Sequence, residues 1–185
     1  RVRIDRLADV IAGMRAYRAE GPTEITNDTL NWSGFEGVPK PTGSVPLIIG
    51  GGSPRVLRLA GREADIVSLN FNNRSGMIGP DGLQKSTAAE TRKKLEWIRE
   101  GAGKRFNKLE LEIGVMHSPT DGDVAPVVAQ VAQGFGFSQE EARNHPHLLF
   151  GSVDAVCEQI EQRREEYGIS YFTVQDASID SFAPV

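Results

Sequence analysis

Three consecutive glycines, Gly50, Gly51 and Gly52, run into Ser53, Pro54 and Arg55. Glycine lets the backbone turn sharply and approach a ligand closely. Serine is a favourable helix cap and proline a favourable first helical residue. A helix start of this kind offers backbone amides to an anion, and Arg55 adds positive charge at the same end. The chemistry these types suit is phosphate binding; the same residues also suit a plain turn between strand and helix with nothing bound. His117 closes an alternating run and is placed to face a substrate, although a lone histidine is more often structural. His145 and His147 flank Pro146 without the Cys, Asp or Glu pattern of a metal site. They are predicted to form a surface turn, and no metal site is expected. Asp65 opens a strand at the end away from the ligand face and reads as structural. Cys157, the single cysteine, excludes an internal disulfide and lies in a helical pattern as a small core side chain.

The elements that must hold these residues follow from periodicity. Residues 1–20 place Ile4, Leu7, Val10, Ile11 and Met14 at three- and four-residue spacings, an amphipathic helix ended by Gly21 and Pro22. Because the sequence starts inside that helix, a cut chain is expected. Residues 23–44 lack periodicity and read as a long loop with a short hairpin near 25–32, in which Trp32 and Phe35 are expected to pack on the scaffold. A strand at 45–49, a helix at 54–62 and a strand at 65–70 form a compact βαβ unit. A polar loop at 71–85 carries Asn72, Asn73 and Arg74, and a helix at 86–103 is capped by Ser86 or Thr87. Residues 109–116 alternate as a strand, 123–145 form helical pieces, and 148–151 read as a linker. Ser152 and Gly168 bound a last full helix whose Glu158, Glu161, Arg163, Arg164 and Glu165 suggest a solvated face. A strand at 169–174 follows.

Strands alternating with helices imply an α/β fold with parallel pairing and right-handed crossovers. Four strands of this kind make an open doubly wound sheet or one half of an eight-stranded barrel. In both, ligands gather at the carboxyl ends of the strands: here residues 50–55, 70–74, 116–118 and 175–176. The 185 residues are predicted to form one domain, 1–185, and the ordinary apolar and charged shares, 39% and 25%, suit a globular protein. A net charge of −4 spread along the chain gives neither a basic stripe for nucleic acid nor a polybasic segment for a membrane. No apolar run approaches the roughly 18 residues of a membrane span. The start is charged rather than signal-like, so a cytoplasmic location is expected.

The runs GGGSPRVLRLAGREADIVSLN, TRKKLEWIREGAGKRFNKLELEIGV and LFGSVDAVCEQIEQRREEYGISYFTV, in this order, resemble the carboxy-terminal part of the bacterial-luciferase-like monooxygenase superfamily. The closer resemblance is to its actinobacterial branch of oxidoreductases using the deazaflavin coenzyme F420. It implies the carboxy-terminal half of a TIM-type (β/α)8 barrel, with residues 1–20 as the fourth helix and the four strands as the fifth to eighth. It further implies hydride transfer to or from a small organic substrate, with coenzyme F420 or FMN as cofactor. Gly51, Gly52, Ser53 and Pro54 match the family element that holds the cofactor phosphate, with Arg55 a weaker member. The redox ring and the acid and base groups belong to the first four strands, so the chain alone is expected to be inactive. Exposed strand edges suggest self-association, as a homodimer or edge to edge. The competing expectations are a non-catalytic phosphate-binding or assembly module and a small doubly wound nucleotide-binding protein.

Overall fold

The computed structural model of the chain describes residues 2–72, 80–120 and 122–185, with the side chains at 80, 81 and 117–119 outside that description. It divides into two compact units, Arg1–Leu47 and Ile48–Val185.

In the first unit, helix α1 (Val2–Arg18) is followed by an antiparallel hairpin of β1 (Thr23–Thr26) and β2 (Asn31–Phe35). The hairpin turn is built by Asn27, whose Oδ1 accepts from the backbone N–H of Thr29 at 3.0 Å and of Leu30 at 2.7 Å, the local side-chain bonding that makes asparagine a turn former. The turn is tied to α1 by Thr29, whose hydroxyl donates to Asp9 at 2.6 Å. Trp32 and Phe35 meet edge to face at 5.8 Å, and Phe35 lies 6.0 Å from the Tyr17 ring of α1. These aromatics pack within their unit. The apolar stripe of α1 is only partly covered there: Ile11 is buried, whereas Val10 is 37% exposed.

The second unit is a parallel sheet with helices. Its elements are β3 (Ile48–Gly51), α2 (Pro54–Glu63), β4 (Ile66–Leu69), α3 (Pro80–Gln84), α4 (Ala88–Ala102), β5 (Glu110–Pro119), α5 (Ala125–Phe135), α6 (Gln139–Arg143), β6 (Leu148–Gly151), α7 (Val153–Tyr167), β7 (Ile169–Val174) and α8 (Ile179–Phe182). The four expected strands are β3, β4, β5 and β7, each paired in parallel with its neighbour in that order. β3 and β7 are not paired among the described residues, so the sheet is open, as one part of a barrel must be. The predicted linker at 148–151 is a fifth strand, β6, which pairs with the carboxyl end of β5 through Met116↔Leu148 and Ser118↔Phe150. Four apolar residues without alternation carry no strand period, and only pairing with β5 decides their conformation.

Register explains the layering. Ile49, Val67 and Leu111 stand side by side on one face, all buried. Gly50, Ser68 and Glu112 stand side by side on the other, with Gly114 beside Thr173. α2 packs on β3 and β4, and α4 packs on α2. The two helices meet backbone to backbone at Gly101, where a β-carbon would lie 2.1 Å from the Arg58 carbonyl oxygen. A second apolar cluster, Leu83, Val128, Ala132, Ala142, Leu148 and Phe150, joins α3, α5, α6 and β6.

Three helices carry side-chain caps. Thr87 accepts from the Glu90 N–H, Ser138 and Glu141 make a reciprocal capping box, and Ser152 accepts from the Ala155 N–H. Gly168 ends α7 with φ 74°. One helical residue departs from its predicted setting: Arg163, assigned to a solvated face, is 5% exposed.

Candidate functional site

The glycine run is partly strand. β3 extends through Gly50 and Gly51, so the turn itself is Gly52 and Ser53, and α2 starts at Pro54. Gly51 is held by its carbonyl, which accepts from the Asn70 N–H at 3.0 Å where the chain leaves β4. At Gly52 a β-carbon would lie 2.5 Å from the Phe71 carbonyl carbon and oxygen and from the Asn72 nitrogen, so no side chain fits without moving that backbone. Ser53 occupies the cap position, but its side chain makes no cap hydrogen bond to α2. The first intrahelical bond runs from the Leu57 N–H to the Ser53 carbonyl at 3.0 Å, which leaves the preceding N–H groups of the first turn outside the helical ladder. Arg55 is exposed at this end. The structure thus brings Gly51, Gly52, Ser53, Pro54 and Arg55 together with Asn70, Phe71 and Asn72.

Asn70 connects this turn to a cavity of about 410 Å³ beyond the carboxyl ends of the strands. Asn70 and Phe71 after β4, Gly114 to Met116 of β5, and Thr173 to Gln175 at the end of β7 line it, with Leu83, Phe135 and His147. Three of the four strand ends predicted to gather a ligand therefore contribute to one cavity, and the fourth, at Gly51, is bonded to its wall. His117 pairs in register with Leu149 on the extension of β5, and its side chain lies outside the described residues, as do Asn73 and Arg74. Asp65 stands at the amino end of β4, where its carbonyl accepts from the Glu110 N–H at 3.0 Å. Among the described residues no group of three or more His, Cys, Asp or Glu side chains gathers as for a metal ion, and no helix is long and apolar enough to cross a membrane.

Several residues at the site were not singled out by sequence reasoning. Lys94 of α4 is 1% exposed; its Nζ donates to the Asn70 carbonyl and to the Ser86 hydroxyl, both at 2.9 Å. Burial pushes its pKa down to about 8, against the pull of Glu90. Glu112 is 4% exposed and accepts from the Thr173 hydroxyl at 2.6 Å. The signal available for Glu112 was its place in an alternating strand between two core residues.

The Asn-His-Pro-His segment is not the predicted surface turn. His145 is 0% and His147 2% exposed. The turn is buried because Arg163 of α7 satisfies its carbonyls: Nη2 donates to His145 and Leu148 at 3.1 and 2.7 Å, and Nε to Pro146 at 3.0 Å. Burial lowers the pKa of His145 to about 4, against its bond to the Leu83 carbonyl and with help from Lys94 and Arg163. Burial likewise lowers His147 to about 3, against its bond to the Gly114 carbonyl. Both are neutral at pH 7. An unfolded histidine binds a proton below about pH 6.5, so the unfolded state gains protons there before the native state does, and stability falls as the pH is lowered. Between pH 7 and pH 5 the loss is expected to be about 2 kcal/mol for each histidine. Urea unfolding at the two pH values, with His145→Asn and His147→Asn flattening the dependence in turn, measures it.

No protein-family model and no curated protein matches the chain. Solved structures do. An F420-dependent secondary alcohol dehydrogenase, solved with an F420-acetone adduct, superposes with TM-score 0.64 and 18% identity over 94% of this chain and 56% of that one. The coenzyme F420-dependent tetrahydromethanopterin reductase of Methanopyrus kandleri gives 0.65 and 18%, over 91% and 58%. The long-chain alkane monooxygenase LadA gives 0.57 and 14%, over 88% and 44%. The chain has the fold of part of a (β/α)8 barrel. It spans a little over half the length of the first two of these structures. In such a barrel the cavity beyond β4, β5 and β7 lies at the end where TIM-barrel enzymes do their chemistry.

Proposed function

We propose that the protein is a flavin- or deazaflavin-dependent oxidoreductase in which this chain supplies the cofactor-phosphate element and part of the substrate cavity. One observation carries the reading: Asn70 bonds the glycine turn through its backbone N–H and lines the cavity, so an anion held at the turn and a molecule in the cavity share one wall. In this reading Gly51 and Gly52 bring backbone without side chains to the phosphate, Ser53 and Pro54 set the start of α2, the N–H groups of its first turn after Pro54 act as donors, and Arg55 contributes charge. Gly52 lets the turn pass against the Phe71–Asn72 backbone, where a β-carbon has no room. The Ser53 hydroxyl is not committed to capping its own helix. Coenzyme F420 and FMN both carry a phosphate and a hydride-accepting ring, and either supplies hydride transfer to or from a small organic substrate.

The chain's own residues have the remaining work. Lys94, donating to the Asn70 carbonyl, fixes the segment that forms the shared wall. Phe71, Leu83, Met116 and Phe135 give the cavity an apolar lining. Residues 1–185 act as a single incomplete barrel domain, inactive without the remaining strands, in a cytoplasmic protein that self-associates. The class of the solved structures with this fold, F420-dependent reductases and a monooxygenase, supports the reading. Fluorescence titration of the protein with F420 and with FMN tests it. Saturable binding of either in the micromolar range supports the proposal, and no binding of either contradicts it.

A further inference from the structure

We propose that His147 is a ligand-binding residue of the cavity, its Nε2 accepting a hydrogen bond from the hydroxyl of a neutral alcohol with an apolar body. The proposal rests on the reading that this cavity holds the substrate, and it names the substrate's class. The tautomers of the buried pair follow from their partners. The His147 backbone N–H donates to His145 Nδ1 at 3.2 Å, so that nitrogen carries a lone pair and His145 Nε2 donates to the Leu83 carbonyl at 3.0 Å. His147 Nδ1 lies 2.8 Å from the Gly114 carbonyl, which can only accept, so Nδ1 carries the proton and Nε2 the lone pair. Among the described residues that Nε2 is a buried polar atom without a partner. A buried acceptor left unpaired is destabilising, and its persistence at a cavity wall points to a ligand that completes it.

The kind of ligand follows from the walls. None of the described side chains lining the cavity is charged, and Phe71, Leu83, Val115, Met116, Phe135 and Val174 make its lining mostly apolar, so a neutral, largely apolar molecule fits. A ketone or ether oxygen would set lone pair against lone pair at Nε2, whereas a hydroxyl donates. The imidazole is too weak a base to take the proton outright and acts as an acceptor. Nε2 is closed to solvent in this structure, so the hydroxyl reaches it only when the half-buried Phe71, its ring 4.6 Å from the imidazole, moves aside.

Cyclohexanol and cyclohexanone, of nearly equal size, are the probes, titrated into the protein without cofactor. Cyclohexanol is expected to bind about tenfold more tightly, as one net hydrogen bond gives, and to move the His147 Nε2 resonance in ring-¹⁵N NMR. His147→Phe is expected to bring the ratio to about one, and His147→Gln, which offers an amide oxygen, to restore part of it. Equal affinities in the wild type, a ratio that survives in His147→Phe, or an Nε2 resonance unmoved by cyclohexanol overturns the proposal. Should His147→Phe fail to fold, the wild-type resonance and His147→Gln decide. F420 and FMN titrations of the same samples separate the two readings, because loss of cofactor binding counts against the phosphate element while the alcohol-to-ketone ratio is read independently.

Discussion

Arg163→Leu is expected to cost about 3–5 kcal/mol of folding stability, the largest single loss among surface-patterned residues of this chain. The guanidinium is 5% exposed and makes four donations to backbone oxygens: to His145, Pro146 and Leu148 in the turn before β6, and from Nη1 to Gln159 within α7 at 2.7 Å. Leucine fills similar space but strands the turn carbonyls in a buried setting, and each unpaired carbonyl costs about 1–3 kcal/mol. Only part of that adds, because the turn can relax. Arg163→Lys keeps the charge but not the planar fork that reaches several oxygens at once, and should recover less than half of the loss. Urea denaturation of both variants measures the effect; a loss under 1 kcal/mol for Arg163→Leu would mean that the turn is not held by this side chain.

Lys94 produces a pH signature of the same sign as the two histidines, a gain in stability with rising pH, but in an alkaline range. Its folded pKa of about 8 lies below the ordinary lysine value of 10.5. Between these values the unfolded chain holds the proton and the native chain releases it, so stability rises as pH increases. From pH 8 to pH 10 the rise is expected to be about 2 kcal/mol. Tyr167, raised to about 12 mainly by burial, pulls the other way near the top of this range, so the comparison is with Lys94→Met, which retains Tyr167. Unfolding free energies of both proteins at pH 8 and pH 10 give the double difference. A wild-type profile parallel to that of Lys94→Met would show that the ammonium is not desolvated.

These two residues also show where sequence reasoning stopped. The β3, turn and α2 unit was legible because glycine, serine and proline each carry a local backbone preference, and the caps at Thr87, Ser138 and Ser152 for the same reason. The order of β3, β4, β5 and β7 followed from alternation of strands with helices. Arg163 and Lys94 were misjudged or passed over because a charged residue on a helix is read as pointing to solvent. Yet Arg163 shares the stripe of Val156 and Tyr167, and Lys94 that of Thr91, Leu95 and Ile98. The period was there; what the sequence does not contain is the set of distant carbonyls these long side chains reach. His145 and His147 escaped for a related reason, since a proline between two polar residues suggests a surface turn until Arg163 closes over it. β6 exists by pairing alone.

The central claim is that the turn from Gly51 to Arg55 holds a cofactor phosphate, and comparing each cofactor with its phosphate-free form tests it most directly. Dissociation constants of the protein for FMN against riboflavin, and for F420 against its phosphate-free deazaflavin fragment, should differ by tenfold or more in at least one pair, in the sense of tighter binding with phosphate. Gly52→Val, whose side chain would displace the backbone at Phe71 and Asn72, should erase the difference by weakening the phosphate-bearing form, with the phosphate-free form bound as before. Equal affinities within both pairs in the wild type, or a phosphate preference undiminished in Gly52→Val, would contradict the claim.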